Sequence, residues 1–367
     1  FVFIVILGLL VLSHEFGHFV AARKSGMKVY EFGFGFPPRG FGIQRLVKKD
    51  GKNIDKKWRW IWGFKKNAEE LSKEENGYVP GTLYSFNWIP LGGFVNIKGQ
   101  EGENEDEDSF ISKSFTKKVI TLVAGVAMNI LLAAVIFSVG FMIGLPQSVD
   151  GLDDSVKINN RQLQIMQILP DMPAQKAGLK AGDVILQIDD VKKPRLKAMQ
   201  NYVDINKNKE INLKIKRGDQ NLDKKIKPTV YKDSGKGGFG VAITEVGIVR
   251  YPWYRAIYEG FVVTALYLKA ILVAFYVIIK GLFTGAGAGG AVSGPIGIAV
   301  MTGQVAKLGI HYLLNFTAVL SLNLAILNIL PIPALDGGRL LFLFIGKIFR
   351  KKVSMKFEQV THTIGFM

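Results

Sequence analysis

The sequence predicts an α-helical membrane protein of several spans with an α/β domain inserted between them. Three observations carry this expectation. Long stretches hold no charged residue, namely Phe1–Ser13, Val119–Leu145 and Leu308–Leu335. The 367 residues are 49% hydrophobic and 21% charged, with a mean hydropathy of +0.22, the mixture that a few spans plus a polar domain produces. Residues 156–231 instead alternate apolar and polar positions between turn signals, the pattern of strands.

Taken in order, residues 1–22 form a first span and 119–145 a second. Residues 308–346 form a third, interrupted near Asp336, and 356–367 begin a last one. Both ends look trimmed, because Phe1 is no initiator and Phe366-Met367 stops as an apolar stretch starts. Residues 252–284 are also apolar, but Lys269 falls at their middle and Arg255, Glu259 and Lys280 flank it. They are expected to lie in the membrane interface rather than cross.

Loop charge orients these spans. Arg23, Lys24 and Lys28, then Lys113, Lys117 and Lys118, crowd the two ends of the 23–118 segment, which the positive-inside rule makes cytoplasmic. Lys347, Arg350, Lys351 and Lys352 place the late loop on the same side, leaving the 156–231 domain extracytoplasmic. The net charge of +17 follows from those loops and a Lys-rich middle domain. No nucleic-acid motif accompanies it, so membrane lipid and not nucleic acid is the expected partner. The absence of cysteine excludes disulfides and cysteine metal sites.

Chemistry enters with His14-Glu15-Phe16-Gly17-His18, placed directly after the first uncharged run. H-E-x-x-H at helical spacing puts both imidazoles on one helix face, where one zinc ion can take both, with the glutamate beside the open position as a proton acceptor. An ionisable cluster at membrane depth is costly and points to function. A third ligand is needed. His311 sits at the wrong depth, and nothing around His362 resembles a site. Asp336 follows Pro331 and Pro333, which break the helix, and precedes Gly337-Gly338, which permits close backbone approach. Its alternative is a loop aspartate paired with Arg339. Asn323 and Asn328 in the same stretch either contact substrate or bond between helices.

HEFGH at the end of a first span, with N-x-x-P-x-P-x-L-D-G-G-R from Asn328 to Arg339, resembles the site-2 protease family of intramembrane zinc metalloproteases, in its bacterial RseP type with one inserted PDZ domain. The resemblance covers most of the chain. It implies Zn2+ held by His14, His18 and Asp336, Glu15 as catalytic base, and Asn328 and Pro331 as the family's upstream asparagine and proline. Tyr30–Pro38, with Gly33 and Gly35, and Thr82–Ile97, with Gly92 and Gly93, resemble that family's membrane-reentrant β-hairpin and PLGG turn. There, a strand edge receives the unwound substrate by strand addition. Pro170–Asp189 (PDMPAQKAGLKAGDVILQID) is similar to the PDZ signature of bacterial proteases, a domain that implies a size filter against bulky substrates. Ser293–Ile298 matches a family stretch of unknown chemistry, and Val126 stands where the family has proline in G-P-x-x-N.

Other segments are read from residues alone. Lys48–Gly77 carries Trp58, Trp60 and Trp62 among lysines, which suits either anionic headgroups or a solvated amphipathic excursion. Glu101–Asp108 is an acidic linker, and Gly285–Gly290 a hinge candidate. Gly125 and Asn129 suit close helix packing, with Asn129 as polar glue.

The expected whole is a monomeric, multi-pass zinc endopeptidase of the bacterial inner membrane, with its site toward the cytoplasm. Its substrates would be single-pass proteins, such as membrane-bound anti-sigma factors or leftover signal peptides. A membrane scaffold whose PDZ unit binds partner tails is the second reading, and an anchored protease acting on soluble peptides the third.

Overall fold

A computed structural model of the chain describes residues 1–50, 53–63, 67–100, 106–149, 152, 156–218, 220–231, 235–284 and 294–349. Residues 101–105 of the acidic linker, the 285–290 hinge candidate, Ser293, His362 and the 356–367 segment lie outside them. The chain divides into two units, one of residues 1–136, 261–306 and 316–367, the other of 137–260 and 307–315.

Helix α1 (Val2–Lys24) opens the first unit. Arg23 and Lys24 fall in its last turn, where cations suit the helix dipole. Gly26, at φ +74°, ends it, with the Met27 N–H returning to the Ala22 carbonyl at 2.9 Å. Strands β1 (Val29–Asp50), β2 (Asn53–Trp62) and β3 (Val79–Ile97) follow, with a 3₁₀ turn at Glu70–Ser72. They pair antiparallel in the order β2-β1-β3. Both long strands fold back on themselves: Phe32 pairs with Val95 and with Tyr84, so the first half of β1 lies between the halves of β3. The bend in β3 is Pro90-Leu91-Gly92-Gly93, where Gly92 has φ +85° and a Cβ would stand 2.8 Å from Val11. Only glycine fits there, and it seats the turn against α1. Phe19 and Ala22 of α1 pack with Met27, Val29, Ile97, Phe110 and Leu122 in one core.

Helix α2 (Phe115–Ile143) runs four residues before the expected start at 119 and stops at Gly144, whose φ of +115° ends it before 145. The second unit then builds its sheet from β4 (Leu145–Ser148), β5 (Lys157–Ile168), β6 (Val184–Ile188), β7 (Val191–Lys192), β8 (Ile211–Arg217) and β9 (Gln220–Ile226). Helices α3 (Pro173–Lys176) and α4 (Leu196–Ile205) lie between these strands in sequence. The small pair β10 (Thr229–Val230) and β11 (Gly237–Gly238) comes next, and then β12 (Val241–Arg250). Strand order is β4-β12-β5-β6-β8-β9, with β7 paired to β6. The domain therefore reaches past the expected 156–231. β12 lacks the clean alternation of β8, whose Ile211, Leu213 and Ile215 are buried in turn, because its register with β5 is irregular at Ala242/Ile243 and Val246/Ile248.

Helix α5 (Trp253–Thr284) is continuous over 32 residues, and α6 (Pro295–Lys307) follows it. The expected third span is two helices, α7 (Ile310–Ile329) and α8 (Asp336–Ile348), because Pro331 and Pro333 cannot continue a helix. Among the described residues, four helices are long and apolar enough to cross a membrane: α1, α2, the Trp253–Gly281 part of α5, and α7. By length and composition the helix expected to lie in the interface thus joins the candidate spans.

In the sheet domain Asp183, only 1% exposed, accepts from Arg217 Nε at 2.7 Å and Nη2 at 2.8 Å, and from the Lys180 N–H at 2.8 Å. Burial pushes this carboxyl up, but the Arg217 and Lys180 bonds outweigh it and hold it below the ordinary value. The resulting stability is present above the unfolded carboxylate pKa and is lost as pH falls through the folded one. Amide exchange in β6 and β8 of the full chain is therefore expected to accelerate below about pH 4. Replacing Arg217 by Met at neutral pH should destabilise those strands by about 2–4 kcal/mol, since a buried carboxylate loses its partner. Unchanged exchange in both cases would remove the pair from the domain's stability.

Candidate metal centre

The first unit brings residues from both ends of the sequence to one point. His14 and His18 lie one turn apart on α1, 6% and 5% exposed, and Asp336 occupies the first turn of α8. His14 Nε2 is 2.8 Å from Asp336 Oδ2, His18 Nε2 is 3.2 Å from the same oxygen, and the two Nε2 atoms are 3.0 Å apart. Zinc bonds of about 2.0–2.1 Å in tetrahedral array would set neighbouring ligand atoms about 3.3 Å apart. The three measured edges lie close to one face of that tetrahedron.

Protonation fits as well. His18 Nδ1 faces the Thr121 carbonyl at 2.8 Å. A carbonyl only accepts, so Nδ1 carries a proton, which leaves Nε2, turned toward Asp336 and His14, as the nitrogen that would ligate a cation. Two imidazole lone pairs and a carboxylate oxygen aimed at one point suit a divalent cation. Two histidines and a carboxylate match the donor set found in catalytic zinc sites.

Close packing makes the room. A Cβ on Gly125 of α2 would fall 2.5 Å from His18 Nε2 and 2.7 Å from His14 Cε1. On α8, a Cβ at Gly337 would meet the Leu330 carbonyl at 2.1 Å. The Pro-broken segment can therefore fold tightly under Asp336. Gly125 was visible in the sequence only as a packing residue, and Thr121 gave no signal, because a backbone carbonyl has no sequence signature.

Glu15 neighbours the histidines and shares with His18 and Asp336 a cavity of about 310 Å³. Phe94, Val95, Asn96 and Ile97 of β3 line the same cavity, with Leu335 and Arg339. Val95 and Ile97 pair with β1 on one side. The Val95 backbone also bonds to the Glu15 side chain.

The remaining expectations divide. Asn328 Nδ2 reaches to 3.4 Å from His14 Nδ1, so this residue touches the centre. Asn323 instead donates back to Val319 of its own helix at 2.9 Å, and Pro331 is exposed in the break. Gly33 and Gly35 are buried where β1 meets β3, and Gly92 and Gly93 sit at the turn against Val11 and Leu12 of α1, just before the cavity-lining residues. Asp336 turns its carboxylate to the two histidines. His311 bonds to the Gly144 carbonyl in the second unit, at 2.6 Å. Asn129 is fully buried, yet its side-chain amide has no partner among the described residues. The helix link there is Ser321 Oγ–H to the Asn129 carbonyl at 2.8 Å, so serine and not the asparagine amide supplies the polar glue.

The profile of peptidase family M50 matches residues 2–49 and 73–367. The chain is 32% identical over 414 aligned positions to the regulator of sigma-W protease RasP of Bacillus subtilis, covering 99% of this chain and 93% of that one. It is 28% identical to the zinc metalloprotease RasP of Geobacillus kaustophilus, with the same coverage of 99% and 93%. Among solved structures, the PDZ domain of an SdrC-like protein of Listeria monocytogenes aligns with 24% of this chain and 93% of its own length, at 28% identity and a TM-score of 0.22. With nearly its whole length matched by one profile, and the metal-binding pattern at both ends inside that match, the chain belongs to peptidase family M50.

Proposed function

We propose that the chain is an intramembrane zinc metalloendopeptidase whose Zn2+ is held by His14, His18 and Asp336. The observation that carries this is the meeting of those three side chains, with Glu15 in the same cavity. Family membership and the names of the relatives support the zinc and the peptidase activity. When bound, the ion would supply Lewis-acid chemistry, polarising a carbonyl and easing proton loss from water.

This chain's own residues do the rest. Glu15 takes a proton from the attacking water and returns it to the leaving amine, and Asn328, close to His14, is placed to hold the oxyanion. Phe94–Ile97 offer an extended backbone beside Glu15, where an unwound substrate segment adds as a further strand. A transmembrane helix hides its amides in internal hydrogen bonds, so such unwinding must precede hydrolysis. Gly33, Gly35, Gly92 and Gly93 shape the hairpin that presents this edge; Asn323 and Pro331 contribute, on this reading, through the α7–α8 break.

Substrates are single-pass membrane proteins. The Bacillus subtilis relative is named a regulator of sigma-W protease, which supports anti-sigma factors as one substrate class. The protein sits in the bacterial inner membrane as a monomer, with the metal centre toward the cytoplasm. Its second unit, read as a PDZ domain from the Pro170–Asp189 pattern, stands outside as a filter against bulky substrates.

Glu15→Gln should keep its zinc, counted by metal analysis, while cleavage of a single-pass substrate falls by about 10²–10⁴-fold; full turnover would remove Glu15 from the mechanism. Gly125→Ala should weaken zinc binding about 10–100-fold in competition with a chelator, because its methyl group crowds both imidazoles. Unaltered affinity would mean that the α1–α2 packing does not shape the site. Against a panel of single-pass helices with and without bulky extracytoplasmic domains, the purified chain with zinc should cut only the trimmed ones. Equal cutting of soluble peptides would defeat the membrane-substrate assignment.

A further inference from the structure

Strand β2 has no counterpart in the family profile, which leaves residues 50–72 unmatched. What this segment adds is a row of tryptophans. Trp58, Trp60 and Trp62 are 60%, 59% and 74% exposed, and their spacing of two puts them on one face of the strand. Their partners across the sheet on that face are Arg45, Ile43 and Phe41 of β1. Phe41 stacks on Phe86 at 5.0 Å, Phe86 meets Phe34 at 5.6 Å, and Trp62 meets Phe41 at 5.8 Å. Trp88, 75% exposed, lies two residues beyond Phe86 on the same side of β3. Four of the chain's five tryptophans therefore share one uncovered sheet face.

That face is continuous with the contact made by the candidate span α1. Phe32 and Tyr84, pairing with each other and in the same alternate positions as Phe34 and Phe86, pack against Phe19 of α1 at 5.0 and 5.9 Å. The helix covers one end of the aromatic face, and among the described residues the tryptophan end is exposed. Along β2 the order Trp62, Trp60, Trp58, Lys56 passes from aromatic to basic, and Arg45 stands opposite Trp58. Residues 41–62 hold seven Lys or Arg against two Asp. Tryptophan prefers the boundary between hydrocarbon and headgroup, and basic side chains beside it are drawn to anionic lipid.

We propose that the β2-extended face of this sheet is a lipid-docking surface. Its tryptophans lie in the headgroup boundary beside α1, and Arg45 and Lys56 contact anionic headgroups. None of these tryptophans, nor Arg45 or Lys56, lines the cavity beside the metal centre, so failure of the surface would leave the peptidase reading untouched.

The test uses the full chain with Trp58, Trp62, Trp88 and Trp253 changed to Phe, so that Trp60 alone reports. It is reconstituted into vesicles of phosphatidylcholine containing one-third phosphatidylglycerol, with brominated acyl chains as quencher. Trp60 should lose roughly half or more of its emission to brominated lipid and little to acrylamide in the water. The loss should shrink in phosphatidylcholine alone, and also when Arg45 and Lys56 become Glu. Ready quenching by acrylamide but not by lipid would show a solvated face and overturn the proposal. Shielding from both quenchers would mean that a second copy or another protein covers the face, which also overturns it. Should the four-fold variant not reconstitute, the same comparison on the unmodified chain decides, because four of its five tryptophans belong to this face.

Discussion

The centre of the first unit answers to one constraint: an aspartate and two imidazoles meet among apolar helices. A lone carboxylate in that setting is costly, and a lone imidazole pair leaves two lone pairs facing each other. Together they make a coherent cation cradle, with edges of 2.8 to 3.2 Å. The cost of assembling it is met by backbone features around it. α7 stops at Ile329, the proline-broken segment turns back, and α8 begins on Asp336 with Gly337 against the Leu330 carbonyl. On the other side Gly125 and the Thr121 carbonyl give α2 both the space and the acceptor that fix the imidazole orientation.

The β-structure makes sense against the same constraint. Peptide hydrolysis needs an extended substrate, and a helix in lipid is the opposite of extended. The cavity beside Glu15 is lined by the last residues of β3, and the Gly92 turn presses that strand against α1. On the proposed reading, the acid–base side chain and the strand that would align a substrate are both held against the same helix. The Val95 backbone, bonded to Glu15, joins the two.

Much of this was legible in the residues. H-E-x-x-H fixes its own geometry, since spacing alone puts His14 and His18 on one face. The two prolines announced that the chain breaks before Asp336, and the structure brings that residue to the histidines across a separation of 322 positions. What escaped was information that sequence carries only in its environment. Thr121 acts through a carbonyl, and Gly125 through the absence of a side chain. Asn323 looked like Asn328, yet the first bonds to its own helix and the second reaches His14; five residues on a helix is enough to rotate a side chain off the site. Strand β12 was missed because two irregularities in its register with β5 interrupt the period of two that betrays a strand. The Trp/Lys insertion showed a period of two, but no rule of composition could say that its strand would extend an aromatic face leading away from α1.

The central claim is that the metal is bound by two imidazoles and one carboxylate drawn from opposite ends of the chain. X-ray absorption at the zinc edge of the purified, zinc-loaded protein tests it most directly. The account predicts two imidazole nitrogens and oxygen ligands at about 2.0 Å, with the oxygen shell altered when Asp336 becomes His. A spectrum with no imidazole scattering, or one indifferent to that substitution, would contradict it.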